Sequence, residues 1–386
     1  MSKSSPRSVI HSSPLRKVVQ MLCLAVTMLE CGVVSAAEEL DIRTFNAPGA
    51  GNNGATAQGT LGLGINFWGA IVGISRDKND VRHGFVRTAD GVFVLFDPPA
   101  AGQGPGQGTR VNAINALGAV VGSYRDSNDI DHPYVRDPNG NFTTIDVPNL
   151  LGGNGGGINF SGTAVGNYVD TTDLQYHGYL RSPRGAITKF DPPGSLETDI
   201  PNSAINDAGM ITGDYLVCTA NGSSCALNGF VRAPNGSIVT FSAPGAGGDA
   251  SSFQGTFPQS INDRGEIVGY YLDGNDVSHG FLRGRNGSIT AFDVPSLCTA
   301  APPPAACAYN GTYAYGINLW GVVVGQYYGE DGVAHGFSRA SNGSIHTFDA
   351  RDAQNGTLPF SVNFWGQITG FTQDANGVDH GLLVRP

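Results

Sequence analysis

The sequence predicts an all-β fold on three observations: a turn-rich composition, a motif that returns seven times, and a strand that the last copy lacks. The 386 residues include 56 Gly and 22 Pro, and only 14% are charged. Such a composition is typical of many short strands joined by turns. Hydrophobic residues make up 40% of the chain and lie in short alternating runs, so enough apolar surface is present for folding.

The repeated motif reads Ile-Asn, two residues, Gly, a short apolar run, His-Gly-aromatic-x-Arg, a further Gly and Phe-Asp-x-Pro. Its Asn falls at Asn66, Asn115, Asn159, Asn206, Asn262, Asn318 and Asn363. Successive positions are 44 to 56 residues apart, which fits one four-stranded blade for each copy. The sequence therefore predicts a seven-bladed β-propeller.

Each copy accommodates four short strands. In the second copy we predict strands over residues 110–115, 119–125, 132–137 and 141–147. Asn-Gly pairs separate the third and fourth strands of several copies, where a tight hairpin needs residues that tolerate positive φ. These pairs begin at Asn139, Asn235, Asn286 and Asn342.

The two ends of the chain complement each other. The seventh copy stops at Pro386, in its third strand, and lacks the Phe-Asp-x-Pro strand. Residues 41–48 (DIRTFNAP) match that strand as it occurs in residues 288–295 (SITAFDVP). We therefore predict that the N-terminal strand completes blade seven, because closure removes the exposed edges of an open array.

The repeated units resemble the bacterial extracellular HAF-type repeat family. Its His-Ala-Phe signature has Gly in the middle here, as in His83, Gly84 and Phe85, and the resemblance covers residues 39–386. It implies an extracellular, propeller-like protein, and the family carries no established activity to transfer.

The first 36 residues predict a signal peptide. Arg7, Arg16 and Lys17 precede an apolar run over residues 18–29, and small residues follow at 34–37. Residues 37–386 would then form a single propeller domain that is secreted or periplasmic. A retained N-terminal anchor is the alternative, although the apolar run is shorter than a membrane span. After removal of the signal we expect no membrane insertion.

Four cysteines beyond the predicted signal form two local pairs, Cys218 with Cys225 and Cys298 with Cys307. We predict two disulfides, since neither pair has the spacing of zinc ligands. No metal or other cofactor is expected, and calcium is the one alternative. Loops such as that with Asp77, Asn79 and Asp80 contain Asp and Asn oxygens of the kind that bind calcium, although tight polar turns need the same residues.

A histidine recurs at one position of six copies, and Asn228 replaces it in the remaining one. The six are His83, His132, His177, His279, His335 and His380. A residue that recurs in this way indicates a framework role rather than a metal site. We expect the Arg that follows it to pair with an Asp of the motif, such as Asp97 or Asp293.

The tryptophans break the repeat. Trp68, Trp320 and Trp365 occupy one slot between the first and second strands of copies one, six and seven, and Phe67, Leu319 and Phe364 precede them. Because these copies are neighbours in a ring, the indoles should form one arc. The arc either stacks on sugar rings, with Trp68, Trp320, Trp365, Phe67 and Phe364 as ligand-binding residues, or packs over the neighbouring blades.

Charge and motifs narrow the function classes. A net charge of -10 argues against a nucleic-acid partner. The sequence shows no nucleophile motif, and it identifies no catalytic residue. We therefore favour a monomeric, non-catalytic binding module for a carbohydrate or an extracellular protein. A polysaccharide-active lyase or hydrolase and a structural surface protein remain the alternatives.

Overall fold

The computed structural model describes residues 40–52, 58–218, 225–249, 254–295 and 311–386. Within these ranges it contains 28 β-strands and no helix. No helix among them is therefore long and apolar enough to cross a membrane. The predicted signal peptide and the predicted Cys298–Cys307 disulfide lie outside the described ranges.

The strands follow the sequence repeat, and we name the four of each repeat a, b, c and d. Strand β1 is Asp41–Phe45. Repeat 1 contains β2 (Gly59–Ile65), β3 (Ile71–Arg76), β4 (Arg82–Arg87) and β5 (Phe93–Phe96). Repeat 2 contains β6 (Gly108–Ile114), β7 (Val120–Arg125), β8 (Asp131–Arg136) and β9 (Phe142–Thr144). Repeat 3 contains β10 (Leu150–Ile158), β11 (Ala164–Asp170), β12 (Tyr176–Arg181) and β13 (Ile187–Phe190).

The remaining repeats have the same order. Repeat 4 contains β14 (Glu197–Asp199), β15 (Ile211–Cys218), β16 (Cys225–Arg232) and β17 (Ile238–Phe241). Repeat 5 contains β18 (Gly255–Ile261), β19 (Ile267–Leu272), β20 (Ser278–Arg283) and β21 (Ile289–Phe292). Repeat 6 contains β22 (Gly311–Ile317), β23 (Val323–Tyr328), β24 (Ala334–Arg339) and β25 (Ile345–Phe348). Repeat 7 contains β26 (Gly356–Val362), β27 (Ile368–Gln373) and β28 (Asp379–Arg385).

Each repeat is an antiparallel sheet in the order a, b, c, d. In repeat 2 the four strands begin and end within one or two residues of the predicted bounds, except that β9 already ends at Thr144. Single parallel bridges, such as that between Arg82 and Gly108, join strand c of some repeats to strand a of the next. Most repeats thus touch through a few backbone atoms and many side chains.

The N-terminal strand pairs with the last strand of the chain. Strand β1 runs antiparallel to β28, with a register from Asp41 opposite Arg385 to Phe45 opposite Gly381. The Phe45 ring also contacts Phe85 of repeat 1, at a centroid distance of 6.3 Å. Strand β1 therefore occupies the d position of repeat 7 and packs against repeat 1.

The hydrophobic core lies between neighbouring sheets. One cluster joins Val72 and Phe96 of repeat 1 to Val120 and Tyr134 of repeat 2. Similar clusters join the other sequential neighbours, and a further one joins Leu383 of repeat 7 to residues of repeat 1. Burial between sheets is the main favourable term in such an arrangement, since each sheet alone could not cover its apolar face.

The strand c position of the His-Gly-aromatic motif requires Gly for a steric reason. A Cβ atom on Gly280 would lie 2.7 Å from the ring of Phe292 on strand d, and the equivalent glycines are equally close to their own Phe. Repeat 2 is the exception, because Pro133 replaces Gly and Ile145 lies beside it in place of Phe. The small residue on strand c therefore accommodates the large ring on strand d.

The predicted disulfide between Cys218 and Cys225 is confirmed. It joins the adjoining ends of β15 and β16, where the two residues are cross-strand partners. Disulfides of this kind persist in oxidising compartments.

Candidate functional site

The repeating Asn organises the turn between strands a and b. The Asn115 Oδ1 atom accepts hydrogen bonds from the backbone N–H groups of Leu117 and Ala119, at 3.0 and 2.9 Å. Its Nδ2 atom donates to the backbone oxygen of Asn159 in the next repeat, at 2.9 Å. One buried side chain thus closes its own turn and holds the neighbouring one.

The seven Asn side chains form a cycle of hydrogen bonds. Each donates to the backbone oxygen of the Asn in the following repeat, in the order Asn66, Asn115, Asn159, Asn206, Asn262, Asn318 and Asn363. Asn363 then donates to the oxygen of Asn66, at 3.2 Å. The seven turns therefore surround one common space.

That space is a cavity of about 280 Å³, bordered by residues of all seven repeats. The residue that follows each Asn lines it. Phe67, Phe364 and Leu319 lie on the side of repeats 1, 7 and 6, whereas Asp207 and Asp263 lie on the side of repeats 4 and 5. Five of these seven residues are therefore apolar, with Ala116 and Phe160 in repeats 2 and 3, and two are carboxylates in adjacent repeats.

The three tryptophans lie on the rim of this mouth and pack over the following repeat. The Nε1 atoms of Trp68, Trp320 and Trp365 donate to the backbone oxygens of Ala116, Phe364 and Phe67, at 2.9, 3.1 and 3.0 Å. The indoles nevertheless remain 38, 40 and 47% exposed. Each Trp thus has a packing role and also presents ring surface to solvent.

The rings form one continuous surface that we call the aromatic crescent: Trp68, Phe67, Trp365, Phe364 and Trp320. The Phe364 centroid lies 5.0 Å from both Trp320 and Trp365 and 5.2 Å from Phe67. Phe67 lies 4.9 Å from Trp68. The structure therefore brings together all five residues that the sequence singled out.

A second cavity, which the sequence analysis missed, lies nearer the start of the inner strands. Its volume is about 390 Å³, and we call it the polar cavity. Residues three positions before the repeating Asn line it: Leu63, Asn112, Ser203, Gln259, Tyr315 and Phe360. The available signal was that this position differs from copy to copy while the Asn stays constant.

One side of the polar cavity carries a carboxyl pair. Asp199 borders the cavity and accepts a hydrogen bond from the Nδ2 atom of Asn167. Asp214 lies opposite Asp199 in the strand register and is buried. Burial raises the pKa of Asp214 well above its usual range, and the negative charge of Asp199 raises it further. Burial and a neighbouring carboxylate thus both favour the protonated form of Asp214.

The facing side is aromatic. Tyr315 and Phe360 border the cavity with their ring centroids 5.1 Å apart. Tyr270 lies behind Tyr315, at a centroid distance of 6.3 Å. Burial raises the pKa of Tyr315 well above its usual range, so its phenol stays protonated and is unsuited to act as a base.

Four of the six recurring histidines contact the Asp of the motif: His83, His177, His279 and His335. His132 contacts Asp126, and the Nδ1 atom of His380 contacts Asn46. The Nδ1 atom of His83 lies 2.7 Å from Asp97, and that of His279 lies 3.0 Å from Asp293. The predicted pairing of these carboxylates with the following Arg is wrong. The Arg283 guanidinium instead lies over Phe241 of the preceding repeat, 4.8 Å from its centroid.

The His279–Asp293 contact predicts a pH effect on stability. The hydrogen bond to Asp293 raises the pKa of His279, against the opposing effect of burial; Asp273 faces its other ring nitrogen, and Tyr271 stacks on the ring. A histidine whose pKa is higher in the folded state than in the unfolded state stabilises the fold at pH values below its unfolded pKa of about 6.5. This stabilisation is lost as the pH rises through the folded pKa.

We therefore expect the free energy of unfolding to fall between pH 6 and pH 8.5, and to fall less in Asp293→Asn. Urea titrations of both proteins across this range measure the difference. Equal slopes would contradict a charged His279–Asp293 pair. Asp352→Asn serves as the matched control, because Asp352 is exposed and forms no hydrogen bond or ion pair with a histidine among the described residues.

The acidic loops between strands b and c are closed by their own side chains. The Asp77 Oδ1 atom accepts from the backbone N–H groups of Asn79 and Val81, at 2.8 and 2.9 Å, and Asp126 and Asp273 do the same in their loops. Over the part of the chain that the structure describes, no three His, Cys, Asp or Glu side chains could together hold a metal ion.

Comparisons with known proteins identify the class of fold. The β-propeller domain of the Trilobed protease from Pyrococcus furiosus is similar to this chain, with a TM-score of 0.55, 9% identity, and coverage of 84% of this chain and 95% of that one. A catalytically inactive virginiamycin B lyase from Staphylococcus aureus with quinupristin gives a TM-score of 0.53, 14% identity, and coverage of 90% and 100%.

The all-β repeats and these similarities define a β-propeller fold. Identities of this size establish the fold and nothing about chemistry. No family model matches the sequence. No curated protein matches it either.

Proposed function

We propose that this protein is an exported, seven-bladed β-propeller that binds carbohydrate through the aromatic crescent and does not catalyse a reaction. The seven repeats would be its blades, and β1 would close blade seven. The Asn cycle and the β1–β28 pairing support this closure. The Cys218–Cys225 disulfide supports an oxidising compartment.

The single observation that carries the binding proposal is the exposed crescent at a mouth that also contains two carboxylates, Asp207 and Asp263. Aromatic faces stack on the apolar faces of sugar rings, and they offer large rigid area at low entropy cost. Asp207 and Asp263 across the same mouth supply carboxylate oxygens that accept hydrogen bonds from hydroxyl groups. This combination suits a hydroxyl-rich ring better than an all-apolar partner.

The arrangement of carboxyl groups favours binding over hydrolysis. Glycoside hydrolysis needs two carboxyl groups on opposite sides of the bond that breaks. Asp199 is the one carboxyl residue among those bordering the polar cavity, and Asp214 lies beside it on the adjacent strand. The pair therefore occupies one side of the cavity.

We expect a glycan array to show binding by the protein without its first 36 residues, and a loss of at least about tenfold in affinity for the triple variant Trp68→Ala, Trp320→Ala, Trp365→Ala. Stacking losses of about 1.4 kcal/mol correspond to tenfold. Circular dichroism checks folding. Leu117→Ala is the matched control, since Leu117 occupies the same slot in repeat 2 and is 45% exposed.

The triple Trp→Phe variant separates stacking from packing. Phenylalanine keeps a ring surface but loses the indole N–H that donates to the next repeat, so it should keep most of the binding and melt at a lower temperature. Unchanged glycan affinity in the folded alanine variant, or binding of proteins but no glycan by the wild type, would contradict the proposal.

A further inference from the structure

Repeat 1 places two arginines directly opposite each other. Arg76 at the end of β3 is the cross-strand partner of Arg82 at the start of β4. The same position of repeat 2 pairs Arg125 with Asp131, at 2.7 Å between nitrogen and oxygen. Opposed like charges destabilise a sheet, whereas opposed unlike charges stabilise it. Repeat 1 thus carries an arginine where repeat 2 carries an acid.

A third arginine adds to this charge. Burial, together with the positive charges of Arg110 and Arg76, lowers the pKa of Arg82 to about 10. Arg110 forms no hydrogen bond or ion pair through its guanidinium within the described residues, although it borders the polar cavity. The Nε atom of Arg76 is buried and lacks a hydrogen-bond partner.

The acids near these arginines are already engaged or distant. Asp80 lies 3.8 Å from Arg76, Asp131 is bound to Arg125, and Asp379 accepts a hydrogen bond from Gln373. Arg110 therefore borders the polar cavity with a guanidinium that has no hydrogen-bond partner among the described residues, while the carboxyl group of Asp199 borders the same cavity and Asp131 acts on Arg110 electrostatically. Groups held in an unfavourable arrangement of this kind often mark a binding site, because a ligand relieves the cost.

The rest of the cavity wall has the composition of a sugar site. Asn112, Asn154, Asn167 and Gln259 carry amides that both donate and accept hydrogen bonds. Tyr315 and Phe360 supply ring surface on the facing side. A volume of about 390 Å³ lies in the range of small-molecule sites.

We infer that the polar cavity is a second glycan site that takes an anionic sugar residue. Arg110 binds its carboxylate or sulfate group with support from Arg82, the amides bind its hydroxyl groups, and Tyr315 and Phe360 contact its ring. This site goes beyond the proposed function, because its lining residues lie three positions, or roughly 10 Å, before the repeating Asn along the inner strands and include no residue of the crescent.

The test is calorimetric titration of the wild-type protein with tetragalacturonate, with its neutral methyl ester, and with a sulfated tetrasaccharide. We expect at least one anionic probe to bind and the methyl ester to bind at least tenfold more weakly than tetragalacturonate or not at all. The two anionic probes distinguish carboxylate from sulfate recognition. No binding of either anion, or equal binding of tetragalacturonate and its ester, would overturn the inference.

Two variants separate binding from folding. Arg110→Gln should lower the affinity for the anion at least tenfold. Arg82→Ser introduces the residue of repeat 5, Ser278, and should weaken anion binding; it removes the like-charge contact with Arg76 and also the hydrogen bond from Arg82 to the backbone oxygen of Gly106. A merely structural Arg82 would leave the anion affinity of the folded variant unchanged. Unchanged anion affinity in folded Arg110→Gln would overturn the assignment.

The crescent serves as the control. The triple Trp→Ala variant should retain anion binding at the polar cavity while it loses neutral glycans. If the triple Trp→Ala variant lost anion binding while Arg110→Gln kept it, the second site would be refuted and the crescent proposal would stand.

Discussion

Deleting residues 1–46 is expected to lower the melting temperature by about 10 °C relative to a chain that starts at residue 40. The deletion removes β1 and with it the edge partner of β28. It also removes Leu40, Ile42 and Phe45, which pack on the core of repeats 7 and 1. Three partly buried apolar side chains contribute about 5 kcal/mol in total, and about 2 °C per kcal/mol applies to a domain of this size.

Differential scanning calorimetry measures this change. A chain that lacks only residues 1–39 is the control and should melt like the protein without its first 36 residues, because β1 is intact. Equal melting temperatures for the two truncations would contradict the proposed closure of blade seven. The truncated chain should also aggregate more readily, since β28 becomes an exposed edge strand.

Replacing Asn115 by Ala is expected to lower the free energy of unfolding by about 3 kcal/mol. The Asn115 side chain is buried, and the replacement removes three hydrogen bonds that contribute about 1 kcal/mol each. Two of them close its own turn, and one holds Asn159 of the next repeat. Urea denaturation measures the loss.

Two further variants locate the cause. Asn115→Asp keeps the acceptor for the turn but loses the donor to Asn159, so it should also destabilise the protein. Leu117→Ala changes an exposed side chain of the same turn and should alter stability by less than about 0.5 kcal/mol. A loss below about 1 kcal/mol in Asn115→Ala would show that the Asn cycle contributes little.

The sequence predicted the features that recur with the repeat. A recurring residue has the same surroundings in every copy, so the strand bounds of repeat 2 and the pairing of the N-terminal strand with the last copy follow from comparison of the copies. The polar cavity was missed for the converse reason. Six of its lining residues, Tyr315 among them, occupy one position of their copies, but the residue type at that position differs from copy to copy, so a search for recurring residues does not find them.

The histidine contacts show a second limit. His279 and Arg283 are four residues apart on one strand and therefore point to the same face. Which of them reaches Asp293 depends on the strand register, in which Gly280 lies opposite Phe292 and Arg283 opposite Ile289. That register places Asp293 beside His279. Composition and spacing alone could not distinguish the two cations.

The contact between Gly280 and Phe292 restricts how the copies can diverge. A larger residue on strand c clashes with the ring, and a smaller residue on strand d alone leaves a void, so either change by itself should destabilise the sheet. Repeat 2 differs at both positions, with Pro133 and Ile145. The Gly of the His-Gly-aromatic signature therefore reflects a steric fit between strands c and d, which is separate from the contact of His279 with Asp293.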